Sequence, residues 1–175
     1  MTDEELMVCV AAGDQDAFTV LYGRHRDAVA GHLWRLCGDA ELTADAVSET
    51  FVRVWRRART FSPARGCFRP WLMTVAVNTL RTVWKRDHTP TFPLPEGDLP
   101  DGNAKPDDRV IHAVALHAVW PRLSLEHREA LSLRFFSGCS YEEIATVQRV
   151  PPATARTRVF YGLKKLRSLL EVDAS

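Results

Sequence analysis

Between Ser140 and Leu170 the chain concentrates residue types suited to holding nucleic acid: Thr154, Arg156, Thr157, Arg158, Phe160, Tyr161, Lys164 and Lys165. Guanidinium and ammonium groups hold phosphate oxygens, and side chains near a helix N-terminus reach base edges in a major groove. Ala155, Val159, Leu163, Leu166 and Leu170 recur at three- and four-residue steps, which predicts a buried helical stripe with the cations left outside it. Upstream, Ser140 and Glu143 stand at capping-box spacing, and Ile144 and Ala145 give the helix they open an apolar flank. Val150, Pro151 and Pro152 end that helix, because proline lacks the amide hydrogen and restricts the residue before it. Proline is tolerated at a first helical position, so the next helix starts near Pro152. The product is a helix-turn-helix whose second helix suits duplex DNA. An ordinary helical hairpin with a solvated basic face satisfies the same pattern, so the stretch alone leaves both readings open.

Other chemistries find little support. Cys9, Cys37, Cys67 and Cys139 are far apart, with no CxxC or Cys/His metal spacing. Cys9 and Cys37 fall on apolar helical stripes, as reduced core thiols do, whereas Cys67 lies in a loop beside Gly66. His25, His32, His112, His117 and His127 fall in helical segments without carboxylate or cysteine partners at ligand spacing, which reads as surface or boundary placement. There is no Gly-rich phosphate loop, HExxH or GxSxG, so no catalytic residue, metal or cofactor is expected. No apolar run approaches the roughly 20 residues of a membrane span. The acidic start MTDEELMVCVAAGD lacks the basic opening of a signal peptide, so a cytoplasmic location is expected. The net charge of +1 looks small for a nucleic-acid binder, but the charges are segregated. Asp3, Glu4, Glu5, Asp14 and Asp16 load the N-terminus, while Arg53, Arg56, Arg57 and Arg59, then Arg81, Lys85 and Arg86, form positive clusters. Local patches decide phosphate binding.

The elements that must position these residues are all helical. Phe18, Leu21, Tyr22, His25, Val29, Leu33, Leu36 and Cys37 mark one long amphipathic helix, with Gly38 placed as its left-handed cap. A second helix is expected from near Thr43 to about Arg59, with Val47, Phe51, Val54, Trp55 and Ala58 inward. A loop with Pro63 and Gly66 follows, and Pro70 opens a third helix to about Arg86. Leu72, Val75, Ala76, Thr79, Leu80 and Val83 form its inward stripe, and Thr74, Asn78, Arg81, Thr82 and Lys85 its outward row. Residues 88–108 hold five prolines, two glycines and a surplus of acid over a single lysine. Such a segment buries too little apolar surface to fold and reads as a flexible Pro-rich acidic linker. It separates a domain at 1–87 from one at 109–175. The second is expected to hold a helix over 109–121, another from Leu125 capped by Ser124 and closed by Gly138, and then the helix-turn-helix. The expected fold is all-α, with two small helical domains.

Three segments in this order resemble the extracytoplasmic-function sigma factors of bacterial RNA polymerase. ADAVSETFVRVWRRARTF (44–61) looks like the core-polymerase-binding helix of that family, with Asp45 four residues before Glu49-Thr50-Phe51. GCFRPWLMTVAVNTLRTVWKR (66–86) resembles its promoter-melting and −10-reading segment. LSLEHREALSLRFFSGCSYEEIATVQRVPPATARTRVFYGLKKLR (123–167) is similar to its −35-reading domain. The resemblance implies docking on core RNA polymerase, with Asp45, Glu49 and Arg53 on the β′ clamp and the β flap as a further contact of the chain. It also implies −10 DNA contacts by Arg65, Phe68, Asn78, Arg81 and Lys85. It implies −35 contacts by Thr154, Arg156, Thr157, Arg158, Phe160 and Lys164. Promoter DNA is then a second partner, and an anti-sigma factor a third that the resemblance allows.

The chain departs from the family pattern in three places. Gln148-Arg149-Val150 stands where Leu-Gly-Val is usual in the turn, so Arg149 implies either strain or a reshaped turn. Ala153 replaces a common glycine, and Tyr161-Gly162 a common Arg-Ala. No extra domain is expected beyond Ser175. A stand-alone helix-turn-helix regulator, or a helical adaptor whose basic faces bind protein, would share the local features without the polymerase-docking helix.

Overall fold

A computed structural model describes residues 1–87 and 115–173, and among them every regular element is helical. The expected linker lies wholly outside the described residues, as do 109–114. Four helices build the N-terminal part: α1 (Asp3–Ala11), α2 (Gln15–Cys37), α3 (Ala40–Arg57) and α4 (Phe68–Asp87). Their starts are set by local side-chain chemistry. Thr2 and Glu5 form a capping box, Asp14 accepts from the Asp16 and Ala17 amides, and Asp39 accepts from Leu42. Gly38 ends α2 at φ 67°, where any β-carbon would be strained, and this left-handed residue lets α3 begin two residues later.

α2, α3 and α4 pack on one another around Leu21, Val29, Leu33, Phe51, Val54, Leu72, Ala76 and Leu80, all buried, with α1 laid across them through Leu6, Met7 and Val10. The inward stripe expected on α4 is buried throughout. α3 starts at Ala40 rather than Thr43, because Asp39 supplies a cap, and α4 starts at Phe68, two residues ahead of Pro70. Trp55, expected inward, is 36% exposed, and its ring meets Phe18 edge-on at 5.3 Å.

The C-terminal part contains α5 (115–119), a 3₁₀ turn Trp120–Arg122, α6 (Leu125–Phe135), α7 (Tyr141–Gln148) and α8 (Pro152–Asp173). Pro121 lies inside the 3₁₀ turn rather than after a helix. α6, α7 and α8 pack mutually as a trihelical helix-turn-helix. Ser124 caps α6, and Ser140 and Glu143 form the expected capping box on α7. The stripe of α8 is rotated from expectation. Ala155, Val159, Gly162 and Leu169 are buried, while Leu163 is 42% exposed. Gly162 is the cause: a β-carbon there would sit 3.2 Å from Leu131, so its absence lets α8 close on α6 along that side.

The turn between α7 and α8 keeps its tight form. Arg149 adopts φ 54°, ψ 47°, and the Val150 amide donates to the Ala145 carbonyl at 3.0 Å, the long hydrogen bond of a left-handed helix end. Arg149 is the one non-glycine with positive φ among the described residues. An L-residue in that region costs roughly 1–2 kcal/mol. A cation at a helix C-terminus returns only about 0.3–1 kcal/mol at an exposed site. The strain is therefore only partly offset.

The two parts pack together, with α2 against α6 and α4 against α7. The seam is polar. His32 Nδ1 lies 2.8 Å from Ser132 Oγ, and Arg128 donates to the Leu36 carbonyl at 3.1 Å. The Trp120 indole donates to the Arg35 carbonyl at 3.0 Å, and Arg69 to the Ser137 carbonyl at 2.9 Å. Arg35 stacks its guanidinium 3.8 Å from the centre of the Phe136 ring. His25 and His32, expected at the surface or boundary, are both buried. His25 has a carboxylate partner after all, Asp3 of α1, at 2.7 Å, a contact brought together only by the crossing of α1 over α2.

Candidate functional site

The first candidate surface is the outward side of α3. Asp45, Glu49 and Arg53 are four residues apart, so they align along one face, with Asp45 exposed and the other two half-buried. Arg53 Nε donates to Glu49 Oε1 at 2.8 Å. Such a pair within a helix adds only about 0.3–0.5 kcal/mol. Its larger effect is to hold both charges in a defined register. Val52, 41% exposed, lies beside this row, and Trp55, 36% exposed, lies farther around the helix from Arg53. The outward side of α3 thus carries a charged row with exposed apolar carbon beside it.

The second surface is the loop before α4 and the outward side of α4. Arg65 is exposed at the end of a 3₁₀ turn, Pro63–Arg65, ahead of Gly66 and the exposed Cys67. Phe68, expected to contact −10 DNA, is fully buried among His25, Phe61 and Trp71, so its ring offers no face to a base in this arrangement. Its role is anchorage. The Phe68 amide donates to Glu4 Oε1 at 3.0 Å, a bond that holds the Glu4 carboxyl below its ordinary range and ties the start of α4 to α1. Asn78 and Arg81 are half-buried and Lys85 is exposed, on successive turns of α4. Trp84 is a core residue.

The third surface is the first half of α8. Arg156, Thr157, Phe160 and Lys164 are exposed, and Thr154 and Arg158 half-buried. Arg156 lies 5.1 Å from the Tyr141 ring, which steadies a long side chain at the outer edge of the helix-turn-helix. Phe160, 62% exposed, packs edge-on against Tyr161 at 5.3 Å.

The second and third surfaces meet at one side chain that sequence reading missed. Glu129 of α6 is 3% exposed and accepts from Gln148 Nε2 at 3.2 Å. Arg81 of α4 reaches it across the seam at 3.8 Å, and Arg158 of α8 adds its charge from the other side. Burial raises the Glu129 carboxyl above its ordinary range, and the two arginines oppose that rise. Nearby, burial with the Arg35 charge holds His32 down to about 3, so the ring is neutral at physiological pH. Among the described residues no group of His, Cys, Asp or Glu is arranged to hold a metal, and no helix is long and apolar enough to cross a membrane.

Comparison with known proteins fits this geometry. The Sigma-70 region 2 family matches residues 21–89, and the Sigma-70 region 4 family matches 113–166. The RNA polymerase sigma factor CarQ of Myxococcus xanthus is 35% identical over 161 residues, covering 90% of this chain and 91% of the relative. The ECF RNA polymerase sigma factor SigL of Mycobacterium tuberculosis is 30% identical over 171 residues, covering 92% of this chain and 93% of its own. In three dimensions the chain is similar to CnrH in complex with the cytosolic domain of CnrY, with TM-score 0.76, 25% identity and 98% of each chain covered. Two matched regions in order, relatives aligned nearly end to end and a helix-turn-helix with exposed cations agree: this chain belongs to the extracytoplasmic-function group of sigma-70 family RNA polymerase sigma factors.

Proposed function

We propose the following division of labour in a sigma factor that binds core RNA polymerase, directs it to promoters and promotes their melting. Residues 1–87 act as the region 2 domain, 109–175 as the region 4 domain, and 88–108 as the connection between them. The Asp45, Glu49 and Arg53 ridge docks on the β′ clamp, where charge complementarity sets register and on-rate, and Val52 and Trp55 supply apolar area. Region 4 engages the β flap. Asn78 pairs a base edge of the −10 element through its amide, and Arg65, Arg81 and Lys85 hold the backbone. Unstacking a base costs a few kcal/mol, which capture in a protein pocket offsets without nucleotide hydrolysis. Arg156, Thr157 and Phe160 read the −35 element, with Thr154, Arg158 and Lys164 on phosphates. The chain performs no covalent chemistry of its own and works in the cytoplasm beside the polymerase.

The observation that supports this reading is the presence, on one chain matched to regions 2 and 4, of a charged row on α3 and outward cations on both α4 and α8. CnrH is seen bound to the cytosolic domain of CnrY, and a sigma factor RpoE of the same fold is bound to the anti-sigma factor NepR from Bartonella quintana. By analogy, an inhibitor of that class is a fitting third partner here. The test is co-purification with core polymerase followed by run-off transcription. A chain that supports no polymerase complex and no transcript while binding DNA alone would be a stand-alone regulator.

A further inference from the structure

We propose that Arg149, in the turn of the helix-turn-helix, is an additional phosphate contact on promoter DNA, retained there despite its strained backbone. The inference rests on the assignment of α7 and α8 to duplex DNA. Its own observation is independent: the turn holds a left-handed residue, and the side chain there is the longest cation available rather than glycine. Every other positive-φ position among the described residues, Gly13, Gly38, Gly66 and Gly138, is glycine.

The turn is pinned on both sides, so relaxing it is not open to the chain. Gln148 donates to the Glu126 carbonyl at 3.0 Å and to Glu129, Val147 is buried, and the Val150 amide is held by Ala145. Arg149 itself is exposed, and it stands three residues before Pro152, where the helix carrying Arg156 begins. Its interaction with the C-terminal dipole of α7 is too weak to cancel the strain, as the magnitudes above show. Glycine or asparagine would take the conformation more easily. A strained position that persists beside a binding surface points to a role in binding. A guanidinium at the edge of the reading helix is placed as a phosphate clamp, a contact that is independent of base sequence.

The test uses the full chain with Arg149→Gly, Arg149→Asn and Arg149→Lys. Phosphate contacts are read on any duplex, so the probe is a labelled mixed-sequence duplex titrated by anisotropy at about 50 to 200 mM salt. Arg149→Gly and Arg149→Asn should each flatten the slope of log affinity against log salt by about 0.9 and weaken binding several-fold at low salt. Arg149→Lys should keep the wild-type slope. Thermal midpoints should move oppositely: Arg149→Gly should melt a few degrees higher than wild type, by about 1–4 °C. Unchanged slopes in both neutral variants would overturn the contact, and a lower midpoint for Arg149→Gly would overturn the strain argument. If the wild type itself shows neither salt-dependent duplex binding nor run-off transcription, the assignment to promoter DNA has failed instead. Wild-type binding matched by Arg149→Gly sinks only the present inference.

Discussion

Acidification should loosen this fold through one buried ring. His32 is fully buried, its Nδ1 faces Ser132 Oγ across the seam, and its Nε2 has no hydrogen-bond partner among the described residues. Its folded value is about 3 against an ordinary 6.5. The folded state therefore binds fewer protons than the unfolded state between those two values. The stability contributed by the neutral ring is fully present above pH 6.5 and is lost as pH falls through 6.5 toward 3. At about pH 5.5 only the unfolded chain takes up the proton, so the loss is about 1.4 kcal/mol wherever below that the folded value lies. With a urea slope of about 2 kcal/mol per M, the unfolding midpoint should drop by about 0.5–1 M between about pH 7.5 and 5.5. Glu129 works against this trend: its raised carboxyl takes up a proton in the folded state as pH falls. The measurement is therefore made in a Glu129→Gln background. Burial lowers the Arg35 and Arg128 guanidinium groups along the seam, but arginine does not lose its proton in this range. Adding His32→Gln, which keeps a hydrogen-bonding side chain but does not titrate, should flatten the response. If the variants with and without His32 lose the same midpoint on acidification, the ring is not the titrating group and the reasoning fails.

Three further outcomes are expected. Asn78→Ala should leave co-purification with core polymerase intact but lower open-complex formation, with about 1–3 kcal/mol less discrimination among −10 variants. Arg156→Ala should relax preference at one or two −35 positions, whereas Lys164→Ala should weaken all sequences alike and reduce the salt slope by about one, as a panel of −35 variants at several salt concentrations would show. Glu49→Lys reverses one charge of the row on α3 and should reduce polymerase capture in pull-downs while lowering stability by no more than about 1 kcal/mol, the lost Glu49–Arg53 pair plus the like-charge pair that replaces it.

Much of this architecture is readable from local signals. The left-handed cap at Gly38, the capping box at Ser140 and the apolar stripe of α4 follow from backbone chemistry and period alone, and they stand as expected. Failures occur where a side chain's fate depends on a distant element. Phe68 sits in a loop-like stretch with Pro and Gly nearby, and only the closing of α1 and α2 over it makes it core. Trp55 has the right period for burial but lies at the rim of the bundle. Leu163 is displaced from the buried stripe because Gly162 brings α8 in at a different rotation. His32 and Ser132 are 100 residues apart, and Glu129 meets Arg81 from another domain. No window along the chain carries those meetings.

The closeness of Arg81 to Glu129 has a consequence of length. The −10 and −35 elements are named for positions about 25 base pairs apart, roughly 85 Å along B-form DNA at about 3.4 Å per pair. In the closed chain the helix assigned to one element touches the helix-turn-helix assigned to the other at 3.8 Å. In this arrangement Arg81 of α4 is drawn toward Glu129 beneath the helix-turn-helix, while Arg156, Thr157, Phe160 and Lys164 of α8 stay exposed. Residues 88–114, which lie outside the described residues, join the two parts along the chain. Fully drawn out, a chain of that length reaches roughly 90–100 Å. Shortening it by several residues should narrow the range of promoter spacings the sigma factor tolerates while leaving each reading surface untouched.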